Sequence, residues 1–239
     1  MTQPASNDDC LIECRDVHKT FRTKQGTIRV LEGVDLSVRR GEIVAITGRT
    51  GAGKSTLLGL LAGLDKPSAG TILLEGRRVD QLPSAQWAEI RRRKIGILFQ
   101  DFNLLPSWTA RENVEAAMLH SEAARPARRR RAEALLAACG LADRGGHLPS
   151  ELSVGQQQLV AVARALANDP ALLLADEPTG NLDPAAAAEI ISKLAEPVRQ
   201  HHVTLVVATH GTFPLDVADR ALELADGALR PVEPASRPS

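Results

Sequence analysis

Apolar and polar positions alternate from Leu11 to Val17, which predicts a strand with one buried face, and Ile28 to Val38 predicts a second extended stretch. Arg39-Arg40-Gly41 predicts a turn. Short strands are then expected at Glu42–Thr47, Thr71–Leu74 and Ile95–Phe99. Ala171–Ala175 and Val203–Ala208 are largely apolar throughout, the pattern of strands in a parallel sheet covered by helices on both faces. Lys54–Ala62 is helical in composition, and Gly63 is placed to end it. An Ala-rich helix precedes Ala171. From about Thr109 to Ala138 the pattern is helical and holds the basic cluster Arg128–Arg131, which predicts a helical subdomain inserted into a sheet-based core. Ala221–Leu224 reads as a late strand, and Asp226-Gly227 turns it into a final short one. The Pro-, Ala-, Ser- and Arg-rich end beyond Pro231 predicts a frayed tail.

The fold class this predicts is α/β. A chain of 239 residues, 44% hydrophobic, is long enough for one large domain or two small ones. Its 29 basic and 29 acidic side chains cancel, so no broad basic surface and no nucleic-acid partner is expected. The arginines at 91–93 and 128–131 then read as solvated helix faces, with contact to nucleic acid or anionic lipid as the alternative. No apolar run approaches the ~20 residues that span a bilayer. Met1–Asp9 is polar and acidic, without the basic-then-apolar order of an export signal, so a cytoplasmic location is expected. Cys10, Cys14 and Cys139 form no Cys-x-x-Cys pair, which fits reduced structural thiols better than a metal site.

Candidate chemistry begins at Gly48-Arg49-Thr50-Gly51-Ala52-Gly53-Lys54-Ser55-Thr56, a match to G-x-x-x-x-G-K-[ST] with a strand before it and a helix after it. Glycines let the main chain curl so that successive N–H groups point at phosphate oxygens, and the following helix adds its positive N-terminal dipole. Lys54 supplies a point charge to the β- and γ-phosphates, and Ser55 offers a hydroxyl to Mg²⁺. The bland alternative is a glycine-rich turn with a surface lysine.

Leu172–Ala175 ends in the carboxylates Asp176 and Glu177. At the carboxyl end of a parallel strand such groups face a ligand crevice. Asp176 is placed to hold Mg²⁺, directly or through water, and Glu177 to polarise an attacking water or accept its proton. Read alone, the pair is equally a polar turn ahead of Pro178.

Two further segments point to a family. Leu152-Ser153-Val154-Gly155-Gln156 leads into Gln157–Leu166, and Asp176-Glu177-Pro178-Thr179-Gly180-Asn181-Leu182-Asp183 follows. With the phosphate loop, and in this order, they resemble the nucleotide-binding domain of an ATP-binding cassette transporter over about Leu11–Arg230. The resemblance implies a P-loop NTPase core with a mainly parallel sheet and an N-terminal antiparallel β subdomain. One domain is expected over residues 9–231, with a helical subdomain over about 101–165 and a disordered tail at 232–239. It also implies cofactors ATP and Mg²⁺ and ATP hydrolysis.

The same resemblance assigns roles. Phe21 matches the aromatic that stacks on adenine, where tyrosine is more usual; ordinary core packing is the alternative. Gln100 matches a glutamine that reaches Mg²⁺ and the attacking water. His210 matches a histidine at the γ-phosphate, and Asp183 an interface loop, although Asp183 before Pro184 also reads as a helix N-cap. Ser153, Val154, Gly155 and Gln156 match the helix start that contacts ATP held by a second subunit. A homo- or heterodimer around two ATP molecules is therefore expected, driving a separate membrane permease from the cytoplasmic face of the membrane. Phe99–Pro106 and Glu112-Asn113-Val114 resemble the lipoprotein-release and macrolide-export group. A soluble or regulatory cassette ATPase with a non-transport partner is the alternative function.

The chain departs from the family pattern in places. Val154 stands for the usual first glycine of the signature, Leu159 for a common arginine, Gly211 for a common aspartate, and Arg49 for a small residue. None removes a catalytic group, so modest ATPase activity is expected. Pro197 is expected to end or kink the helix after Asp183.

Overall fold

The computed structural model describes residues 9–24, 26–120, 123–180, 182–211 and 213–232. Within them two sheets form. Strands β1 (Cys10–Thr23) and β2 (Gly26–Arg39) pair antiparallel, and β4 (Ala69–Leu74) and β5 (Arg77–Arg78) extend them in the order β2-β1-β4-β5. The larger sheet runs β10-β9-β3-β8-β7-β6, built from β3 (Ile43–Thr47), β6 (Ile95–Leu98), β7 (Leu172–Asp176), β8 (Thr204–Ala208), β9 (Arg220–Ala225) and β10 (Ala228–Pro231). Only the β9–β10 pair in it is antiparallel.

The uniformly apolar strands are buried on both faces, and their side chains divide with period 2. Ile43, Ala45, Leu173, Ala175, Leu205 and Val207 pack into one core with helices α3 (Ala110–Ala116), α4 (Arg125–Ala138), α5 (Val154–Ala165) and α6 (Pro184–His201). Val44, Ile46, Leu172, Leu174, Val206 and Ala208 pack into the other, with α1 (Lys54–Leu61) and the antiparallel sheet. The parallel sheet is thus the middle layer of three, and its strand ends are held from both sides.

The helical stretch expected over Thr109–Ala138 is two helices. Thr109 caps α3 through a capping box with Glu112, whose carboxylate accepts from the Thr109 N–H at 2.8 Å. Pro126 sits in the first turn of α4 and marks its start. The helix expected around the first arginine cluster is α2 (Ser84–Lys94), which extends well ahead of those arginines. Its arginines are not simply solvated: Arg91 donates to the Gly63 carbonyl at 2.7 Å, and Arg92 and Arg93 pair with Glu89. Helix α6 runs through position 197, so that proline does not end it. Of the tail expected at 232–239, Val232 is described and its N–H donates to the Ala221 carbonyl at 3.0 Å; positions 233–239 lie outside the described residues. Among the described residues no helix is long and apolar enough to cross a membrane.

Candidate nucleotide site

The parallel strands deliver their chemistry at one edge. The glycine-rich loop follows β3, Gln100 follows β6, Asp176 ends β7 with Glu177 next, and His210 follows β8. Because β3, β8, β7 and β6 are parallel neighbours, these groups emerge at the same, carboxyl-terminal side of the sheet.

The loop requires glycine where it curls tightest. Gly53 has φ of 103° and precedes α1; a Cβ there would lie 2.8 Å from Val30 Cγ1 on β2. At Gly48, φ is 149° and a Cβ would lie 2.6 Å from the Leu224 carbonyl oxygen. Both substitutions would push the main chain outward, away from any group it cradles.

Lys54 is the centre of the site. It is buried, with its ammonium donating to the carbonyls of Gly48 at 2.8 Å and Arg49 at 3.3 Å, and lying 3.2 Å from Glu177 Oε1. The other Glu177 oxygen accepts from the His210 backbone N–H at 3.1 Å and meets His210 Nδ1 at 2.7 Å. A carboxylate only accepts, so Nδ1 carries the proton there. A continuous polar chain thus runs from Lys54 through Glu177 to His210. Glu177 takes a left-handed backbone, φ 47°, which costs a non-glycine residue about 1–3 kcal/mol and persists only where its surroundings impose it. Its N–H donates to Ala208 O at 2.9 Å, and its carbonyl accepts from Gly180 N–H at 3.2 Å.

Asp176 lies beside it. Burial pushes its carboxyl above the ordinary carboxylate range; a hydrogen bond from Ser55 opposes this, Glu177 adds to it and Lys54 opposes it again. Asp176 Oδ1 is buried with no hydrogen-bond partner among the described residues. An orphaned carboxylate oxygen next to a serine hydroxyl is the donor chemistry of a hard divalent cation. No group of three or more His, Cys, Asp or Glu stands ready for a metal among the described residues. That suits a magnesium ion completed by phosphate oxygens and water rather than by a protein cage.

The remaining expected residues fall into two sets. Phe21 is exposed, not core; it pairs with Ile28, two residues from the Val30 that abuts Gly53, and Lys19 Nζ sits 4.7 Å over its ring. Gln100 is exposed just beyond β6. The second set, Ser153 to Gln156, opens α5. Ser153 Oγ accepts from Gln156 N–H at 3.2 Å while Gln156 Oε1 accepts from Ser153 N–H at 3.0 Å, a capping box. Ser153 and Val154 face outward, and Gly155 packs near the start of α6, where an added Cβ would sit 3.4 Å from Ala186 Cβ. Asp183 is the N-cap of α6, accepting from Ala185 and Ala186 N–H at 3.0 and 3.1 Å. Asn181 lies outside the described residues.

Sequence reasoning missed three supports. Thr209 Oγ1 accepts from the N–H groups of Gly211 and Phe213 at 3.2 and 3.3 Å and so shapes the turn that bears His210. Arg164 on α5 holds the carbonyls of Phe102 and Asn103, in the loop after Gln100. Gln158 on α5 holds the Pro178 carbonyl at 2.9 Å. Only the Thr209 hydroxyl beside His210 had a readable signal, a polar residue directly after an apolar strand.

Residues 31–180 match the family model described as ABC transporter. The chain belongs to the ATP-binding cassette transporter family. It is 42% identical to the lipoprotein-releasing system ATP-binding protein LolD 2 of Rhodopirellula baltica, across 94% of this chain and 90% of that protein. It is 44% identical to the macrolide export ATP-binding/permease protein MacB of Brucella melitensis across 92% of this chain, but spans only 34% of that longer protein. Among solved structures it superposes with a TM-score of 0.85 on a dimeric ATP-binding cassette in a post-hydrolysis state bound to ADP and Pi, at 36% identity over 94% of this chain and all of that one. This cassette is accordingly a P-loop ATPase subunit of the ABC transporter type.

Proposed function

We propose that this cassette binds Mg²⁺-ATP in the loop 48–56, dimerises around two such nucleotides, and hydrolyses them to drive a separate membrane permease. The observation that carries the reading is the Lys54–Glu177–His210 chain, which runs from the buried Lys54 to the exposed His210 at the end of three adjacent parallel strands. Lys54 moves from its own loop carbonyls to the β- and γ-phosphates. That frees Glu177 to accept a proton from the attacking water, while His210 orients it and meets the terminal phosphoryl group. Asp176, Ser55 and Gln100 are the residues that would hold magnesium. The bound ion supplies positive charge against the phosphate oxygens. Phe21 offers its exposed ring to the adenine.

Ser153, Val154, Gly155 and Gln156 stand at an exposed helix start, which attracts phosphate and suits contact with the partner subunit's ATP, with Asp183 beside it. Residues 101–165 act as a helical subdomain that transmits this contact. Similarity to LolD and MacB supports a permease for lipoprotein release or macrolide export, with this subunit on the cytoplasmic face of the membrane. Lys54→Ala tests the cradle: equilibrium binding of Mg²⁺-ATP should weaken at least about tenfold, since charge-assisted contacts to phosphate are lost. Unchanged affinity would refute it. Stimulation of the ATPase by a co-purified permease supports transport; stimulation by DNA or ribosomes alone would favour a soluble cassette.

A further inference from the structure

Gln158 sits inside α5, one turn beyond Val154, and is only 1% exposed. Its Nε2 donates to the Pro178 carbonyl at 2.9 Å, and since a carbonyl only accepts, the amide orientation is fixed. Pro178 directly follows Glu177, whose backbone is left-handed at φ 47°. The side-chain oxygen Oε1 of Gln158 is buried with no hydrogen-bond partner among the described residues. A glutamine kept merely to fill space would be replaced at lower cost by leucine or methionine, because an unpartnered buried carbonyl oxygen is unfavourable. Local rules broken in this way mark places where structure serves function.

We infer that Gln158 is a positioning residue: its amide grips the Pro178 carbonyl, holds the strained turn at Glu177 in its reactive setting, and ties that turn to the exposed start of α5. This rests on the reading of Glu177 as the group that activates water. The physical logic is short. Helix α5 is a rigid rod whose first turn is exposed and whose second turn holds the Glu177 loop. A displacement of Val154 and Gly155 by a partner's nucleotide is therefore carried to Glu177 of the same chain. Arg164, farther along the same helix, grips the carbonyls of the loop after Gln100, so one rod addresses both loops.

The test uses the full chain and two variants, with steady-state ATPase kinetics across pH. Gln158→Met keeps the volume and removes the donor. It should lower kcat by about tenfold or more, the scale on which misplacing a reacting group acts, while KM for ATP stays within about twofold. Gln158→Glu can donate to Pro178 O only when protonated, and burial favours the protonated form. Its kcat, as a fraction of wild type, should be near one at about pH 6 and fall toward the Gln158→Met value by about pH 9.

A flat ratio across that range, or a Gln158→Met enzyme with wild-type kcat, overturns the inference. So does a loss of kcat matched by an equal loss of ATP affinity, which makes Gln158 a packing residue. Glu177→Gln is the control. If it still turns over ATP at the wild-type rate, the reading of Glu177 fails; if it is inactive while Gln158→Met is normal, only the role of Gln158 fails.

Discussion

At the scale of single residues, the site is built by denying water to charges that need a phosphate or a cation. Lys54 is buried and faces the largely covered Glu177 side chain at 3.2 Å, a pair whose mutual attraction offsets part of their desolvation. Asp176 is less well served: burial holds its carboxyl above the ordinary range and one oxygen has no partner among the described residues. A carboxyl raised in the folded state contributes most to stability below its unfolded pKa, and that contribution is lost as pH rises through the folded value. Ionised Asp176 is therefore a cost to the free protein at pH 7–8. Asp176→Asn should raise the melting temperature measured without nucleotide or magnesium at pH 8, by an amount that shrinks as pH falls toward about 4. It should also abolish magnesium-dependent hydrolysis. A variant that melts lower than wild type at every pH would show that Lys54 and Ser55 more than offset the burial. The two buried thiols, by contrast, are inert: burial pushes Cys14 up to about 12 and Cys139 up to about 11, so both stay protonated.

At the scale of elements, fixed backbone contacts hold the site edge. Gly96 on β6 passes so close to α5 that a Cβ would lie 2.3 Å from the Ala165 carbonyl oxygen. Gly96→Ala should cost about 1–3 kcal/mol by overpacking, read as a lower urea midpoint at unchanged slope. A midpoint equal to wild type would mean that β6 and α5 separate freely. The same elements show what a sequence reveals. The central strands were legible because burial on both faces leaves them apolar apart from residues at their ends, Thr47, Asp176 and Thr204, and the phosphate loop because its glycines are spaced by backbone need. Of helix α2 only the arginine face was legible; its extent was not, because four consecutive basic residues close it without an apolar stripe. The break between α3 and α4 has no glycine, and Pro126 was the only punctuation. Gln158 was invisible within Gln156-Gln157-Gln158, because which of three glutamines faces inward depends on packing that periodicity alone does not settle.

For the whole molecule, the arrangement has two faces of function on one body. The cradle with Lys54, Asp176, Glu177 and His210 lies at the strand ends, while Ser153 and Val154 stand exposed at the start of α5. On the proposed reading, the helix start of one chain meets the nucleotide held by the cradle of another, in keeping with the dimeric cassette on which this chain superposes. Phe21 is exposed and Asp183 caps the start of α6. Val154, exposed at the start of α5, adds bulk where the family has glycine.

The most direct measurement is the mass in solution and the turnover of Glu177→Gln with Mg²⁺-ATP. Removing the proton acceptor while keeping the fold should leave a stable, nucleotide-loaded dimer that hydrolyses ATP at least about a hundredfold more slowly than wild type. A variant that remains monomeric in saturating ATP, or that hydrolyses it at the wild-type rate, would contradict the account.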